Sequence, residues 1–380
     1  MQRKLFLGIV FIFFISLFSF AQTPVSQSPA RVWWYTLEQG KQYFRSGSYG
    51  DALIAFDNAR RQRFEQFTLM EQDLILLLSK PEVRRLGDSL ELVEKYIDYY
   101  HEDRAKAALA ELYYRVPKDS LNGSAKQALE ALGRLKSYPE AEYWLGESYL
   151  ADGELTLALR QYERAWEKRD FLETPGFDID ILYKITDVHR MRRDYQNMEK
   201  RANEIIQGSG SGNASRDTLW ASNGIRAAMA RNLENEGIEH FLVLYRYDNP
   251  LTEKAHRLLG FFCYASNRYS LAAEHLTFAF LIQNSVLIDE ATRHEYDFNF
   301  IPLENLMNYV RSKPKLAAYA EETEYFKTVY YLATSLYATG KTKPASQLWA
   351  FLAASKDAGE WGARARRYPA PFVDRAIEMP

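Results

Sequence analysis

Glu290 and His294 stand four residues apart in DEATRHEYD, with Asp289, Glu295 and Asp297 beside them. On a helix, residues four apart share a face, so this pair could offer two ligands to a divalent metal. A hydrolytic zinc site of the His-Glu-x-x-His kind needs two histidines bracketing a glutamate and a third ligand elsewhere. That order is absent, and spacing assigns no third ligand, so a solvated polar insertion is the better reading. The other histidines, His101, His189, His240, His256 and His275, are scattered, and no nucleophile–base pair can be read from them. Cys263 is the single cysteine. It excludes an intrachain disulfide and a cysteine cage for a metal, and its place in a packing pattern reads as an inert buried thiol. The run GSGSGNAS at 208–215 has the glycines of a phosphate loop but follows a helical stretch. It lacks both the dinucleotide fingerprint and a Gly-Lys-Ser/Thr ending, so it reads as a flexible linker. Asn122-Gly-Ser and Asn213-Ala-Ser match the glycosylation acceptor, which matters only in a eukaryotic secretory host. These residues imply no catalytic site, no metal and no cofactor, and hence a non-enzymatic protein.

The elements that would carry such residues follow a recurring spacing. In WLGESYLADGELTLALRQYERA, Gly146 is followed by Tyr149, Ala158, Tyr162 and Ala165. The same offsets give Gly40, Tyr43, Ala52, Phe56 and Ala59, then Gly260, Cys263, Ala272, Leu276 and Ala279, then Ala333, Leu336, Ala345, Trp349 and Leu352. Weaker copies are Thr186, His189, Met198, Ala202 and Ile205, and Arg226, Met229, Ile238, Leu242 and Tyr245. Offsets of three and four return to one helical face, so each set is a pair of facing stripes on two helices. Small residues let the backbones approach and aromatics fill the wider gaps. Between the stripes, LADGEL, RSGSY, ASNRY and ATGKT supply residues that stop a helix. No segment alternates as a strand would, so the chain is expected to be all-α.

The pattern resembles the tetratricopeptide repeat (TPR), a 34-residue helix–turn–helix unit with W-x₂-L-G-x₂-Y…A-x₃-F…P spacing. Units fall at about 33–66, 139–172, 179–212, 219–252, 253–286 and 326–359, with a divergent pair around 86–119. The usual Trp is missing and the terminal Pro is mostly lost. The resemblance implies a right-handed helical-hairpin solenoid with divergent repeats, whose first helices line a concave groove. The stripe expected there reads Tyr143, Glu147, Leu150; Tyr183, Asp187, Arg190; Arg257, Phe261, Tyr264; Tyr330, Thr334, Tyr337; with Leu37, Lys41 and Phe44, and Asn223, Ala227 and Ala230, from two further units. Tyr143, Glu147, Tyr183, Arg257, Phe261, Tyr264, Tyr330 and Tyr337 are the expected partner-binding residues, being rich in the types that anchor interfaces. Packing against inserted segments or neighbouring units is the competing reading. The lysine/asparagine clamp that some such domains use for a C-terminal carboxylate is not evident.

With 380 residues, 47% hydrophobic and 26% charged, the chain can bury a large core. Forty-eight basic against 50 acidic residues leave no excess that would suit a nucleic acid. Arg3 and Lys4, an apolar run from Leu5 to Phe18 and Ser19-Phe20-Ala21 have the layout of a secretory signal peptide cut after Ala21. An uncleaved anchor is the alternative, and would be the sole membrane attachment. The expected organisation is therefore a signal at 1–21, a linker at 22–32, one block at 33–207, a Gly/Ser linker at 208–218 and a second block at 219–380. That second block contains an insertion at 287–325, read as a loop plus a helix, and an Arg-bearing terminal cap. The expected function is an exported scaffold holding a protein or peptide in the periplasm or cell envelope. The alternative is a small-molecule or lipid-binding accessory protein of an envelope or transport system.

Overall fold

The computed structural model describes residues 32–79, 136–208, 218–247 and 249–367. The signal at 1–21, most of both linkers, the divergent pair at 86–119, His101, both glycosylation motifs and the chain beyond Arg367 lie outside them. Among the described residues every regular element is helical, with no strand, as the sequence predicts. The chain divides into two compact units, Met1–Ser137 and Tyr138–Pro380.

In the first unit, α1 (Trp33–Arg45) and α2 (Tyr49–Ser79) form a hairpin. The second holds α3 (Pro139–Ala151), α4 (Leu155–Glu167), α5 (Phe177–Met191), α6 (Tyr195–Ile206), the short α7 (Thr218–Ala221), α8 (Asn223–Glu236) and α9 (Ile238–Leu244). It continues through α10 (Glu253–Ala265), α11 (Tyr269–His294), α12 (Leu303–Ser312), α13 (Pro314–Glu322), α14 (Tyr325–Ala338), α15 (Thr342–Ala354) and α16 (Gly359–Ala365).

The spacing is a packing template. A β-carbon built on Gly40 would lie 2.5 Å from the Phe56 ring, one on Gly146 2.6 Å from the Tyr162 ring, and one on Gly260 2.5 Å from Leu276. In each case the contact is sixteen residues along, from the first helix of a hairpin to the second. Ala158, Tyr162 and Ala165 are completely buried, as are Ala52, Phe56 and Ala59. The turns repeat too. Gly47, Gly153, Arg193, Asn267 and Gly340, each seven residues after the small position, have φ between 58° and 82°. The amide that follows each one donates to a carbonyl five residues back, at 2.8–2.9 Å. This left-handed closure uses up a carbonyl that the helix end leaves free.

Three elements depart from the expected units. Helices α2 and α11 run 31 and 26 residues. Neither contains a proline, and α11 buries an apolar succession through Leu287, Ile288 and Ala291, so nothing ends it at the unit boundary. Residues 287–294 thus belong to α11, and the insertion holds two helices, α12 and α13. By length and composition α11 could cross a membrane, but it is largely buried within the chain.

The third departure is the pair α8/α9. Leu182, Ala202, Ile205 and Ile206 of α5 and α6 pack directly on Ala255 and Leu259 of α10, so α8/α9 is not interposed between them. It docks elsewhere: the Ile238 amide meets Gln347 of α15 at 3.4 Å, and the Tyr247 amide donates to Ser285 of α11 at 3.0 Å. Arg226 occupies the position where the other units have Gly, Ala or Thr, and a single residue, Gly237 (φ 90°), replaces the turn. A close hairpin contact is closed to a side chain that large.

Candidate functional site

Four expected groove residues are covered by the chain itself. Tyr143 is buried with its ring 4.7 Å from Phe177 and 5.7 Å from Tyr162. Phe261 and Tyr264 are buried against Tyr331 of α14, at 5.8 and 4.9 Å. Tyr330 is buried against Trp361 of α16 at 5.5 Å. Their assignment to an open groove is corrected: the spacing identifies a distinct face, but the next unit and α16 occupy it.

The other four are partly exposed and engaged within the chain. Glu147 accepts from the Tyr162 hydroxyl at 2.5 Å and from Lys184 at 2.8 Å. Tyr183 donates to the Leu251 carbonyl at 2.5 Å and accepts from the Ala255 amide at 3.2 Å, and burial raises its hydroxyl pKa. Arg257 pairs with Glu253 at 2.9 Å and with Glu324. Tyr337 lies 5.4 Å from Trp349. With Asp187–Lys254 at 2.7 Å, these pairs run from α3 to α5, α10 and α14. The stripe therefore marks neighbouring helices joined by ion pairs and hydrogen bonds at Glu147, Tyr183, Asp187 and Arg257 and by aromatic contacts at Tyr143, Phe261 and Tyr264.

An open recess has a separate lining. A cleft of about 350 Å³ is bounded by α8, α11 and the α14–α15 turn. Ala227 and Ala230 of α8 and Ala273 of α11 give it width. Met229, Leu233, Phe278 and Leu336 supply apolar wall. Asn223, Ala227 and Ala230, the stripe of the displaced pair, all line it. At one end Arg226 sits 3.7 Å from Glu274 and stacks over the Trp220 ring at 4.8 Å. At another is Lys341, which forms no ion pair among the described residues.

Next to the cleft, sharing Phe278 with its wall, lies an aromatic cluster with a partly buried Trp220 and buried His256 and His275. Trp220 of α7 stacks on His275 at 4.5 Å, and Phe278 stacks on His256 at 5.1 Å. The Nδ1 atoms of His256 and His275 are 3.1 Å apart. Burial lowers both imidazoles, His256 to about 3, and the nearby Arg268 and Arg226 further disfavour charge on His275. One neutral ring donates to the other, so this is a packed polar pair within apolar surroundings.

Glu290 accepts from Arg293 at 2.7 Å and lies 3.2 Å from His294, at the exposed end of α11. No group of three metal-ligating side chains occurs among the described residues. Burial pushes the Cys263 thiol up to about 11, so it holds its proton at neutral pH. His189 pairs with Asp194 at 3.1 Å, and that carboxylate also caps α6 through the Asn197 amide. Trp220 and Lys341 carried no signal in the repeat spacing. Trp220 follows the Gly/Ser run, and Lys341 lies just beyond a turn glycine.

No family model matches the chain. It is 24% identical over 337 residues to an uncharacterized protein of Treponema pallidum (strain Nichols), covering 87% of this chain and 88% of that one. It is 23% identical over 235 residues to an uncharacterized protein of Borreliella burgdorferi, covering 58% of this chain and 72% of that one.

Proposed function

We propose that the protein is an exported TPR-like solenoid that holds a protein or peptide segment at the periplasmic or envelope side of a membrane, without catalysis. The supporting observation is the repeated hairpin, with its sixteen-residue contact and its left-handed closure at a fixed offset. Stacked helical hairpins build extended surfaces, and each unit contacts mainly its neighbours. Part of the first-helix row stays accessible around Glu147, Asp187, Arg190 and Tyr337, and this is the surface assigned to a partner. A photo-crosslinker at Arg190 should capture a single partner that then binds the purified protein stoichiometrically, whereas one at exposed Glu360 should not. Equal capture at both positions would remove the surface from the proposal. Export predicts a mature N-terminus at Gln22 in the soluble fraction, and an intact Met1 in the membrane pellet would replace it with an anchored form.

A second reading, a small-molecule-binding accessory protein, is favoured by the cleft between α8 and α11. Its volume falls in the range of ligand sites, roughly 300–1,000 Å³.

A further inference from the structure

We infer that the cleft between α8, α11 and the α14–α15 turn binds a carboxylate carried on a short apolar body. The inference rests on the small-molecule reading and supplies its ligand class. Three alanines, Ala227, Ala230 and Ala273, hold the cleft open where larger side chains would close it. A volume of about 350 Å³ accommodates roughly a dozen water-sized groups, too few for a helix about 10 Å across. Charge then selects the ligand. Arg226 and Glu274 face each other at 3.7 Å and offset one another. The hydroxyls of Thr277 and Thr339 donate to the Ala273 and Ser335 carbonyls, at 2.7 and 3.1 Å. Lys341 is left as the uncompensated charge, and it is positive. A neutral ligand would leave that ammonium unmatched, and a cationic one would be repelled by it. An anion on an apolar stem satisfies both the wall and the lysine.

Decanoate, with twelve heavy atoms, is the probe. Calorimetric titration of the full mature chain should show saturable binding below the micellar range. Decylamine should bind at least tenfold more weakly, and decanol should fall between them. Lys341→Gln should weaken decanoate about tenfold while leaving decanol unchanged. Ala227→Leu, at an exposed site, should abolish binding of both, with circular dichroism confirming that the helices are intact. Decanoate and decylamine binding equally, or decanoate indifferent to Lys341→Gln, would overturn the carboxylate assignment. If decanol then still bound and was lost in Ala227→Leu, the small-molecule reading would survive. Failure of all three probes would overturn both.

Discussion

At the scale of single residues, the two kinds of buried position fail differently when changed. Gly146 has no room: the Tyr162 ring occupies the place of any side chain, and that ring is fully buried and held by Glu147. Gly146→Leu should overpack the α3–α4 contact and cost about 1–3 kcal/mol. Tyr264 is the opposite case, a large ring filling space between α10 and α14 beside Tyr269 and Tyr331. Its truncation to alanine should cost about 3–5 kcal/mol, the scale of a buried aromatic lost from a core. A groove tyrosine would leave thermal unfolding almost unchanged on truncation. Melting curves for Tyr264→Ala and Gly146→Leu therefore test burial and close approach separately. An unshifted melt for Tyr264→Ala would restore that ring to the accessible surface.

At the scale of helices and turns, the five hairpins share one closure but not one residue type. Gly153 has φ 81° with no atom near its missing β-carbon, so Gly153→Ala meets only backbone strain. That strain of about 1–2 kcal/mol, less about 0.4–1 kcal/mol from a stiffer unfolded chain, should leave a net cost of about 0.5–1 kcal/mol. Arg193 holds φ 58° in the equivalent turn. Arg193→Gly relieves comparable strain but loosens the unfolded chain by about 0.4–1 kcal/mol, leaving a net gain of about 0.5 kcal/mol. Opposite signs in chemical denaturation are expected, and a destabilised Arg193→Gly would mean that its side chain contributes more than its backbone costs. Four of these turns and the stripes were legible in the sequence because both are local: small residue, helix stop and aromatic fall at fixed offsets, whereas the Arg193 turn carries no such stop residue. The extents of α2 and α11 were not, since a helix without a breaker ends where packing ends. Nor was the docking of α8/α9, which depends on Gln347, a residue more than a hundred positions away.

For the whole molecule, spacing assigned residues to faces but not what covers each face. Tyr264 and Tyr330 lie on stripes distinct from the hairpin contact, as their offsets require, yet α14 and α16 complete that second face. The cleft was only half legible: Asn223, Ala227 and Ala230 are its α8 side, while its other walls come from α11 and the α14–α15 turn. The histidine pair of the adjoining cluster makes the fold less stable in acid. His256 and His275 have folded-state pKa values below the unfolded value of about 6.5, because burial disfavours the cation. Above that value neither state binds a proton and nothing is lost. As pH falls below about 6.5 the unfolded chain takes up protons that the folded chain refuses, so stability drops by about 1.4 kcal/mol per pH unit for each histidine. His189, also lowered by burial, adds in the same direction. Glu253 acts oppositely, since burial raises its carboxyl and acidification there favours the folded state. Thermal unfolding at pH 7.5 and pH 5.5 should show a marked loss for the native sequence. The double variant His256→Phe/His275→Phe keeps two stacked rings beside Trp220 and should show a much smaller difference between the two pH values, whatever its absolute stability. An equal difference in both proteins would mean that the pair is protonated in the fold, and the neutral, hydrogen-bonded arrangement would have to be abandoned.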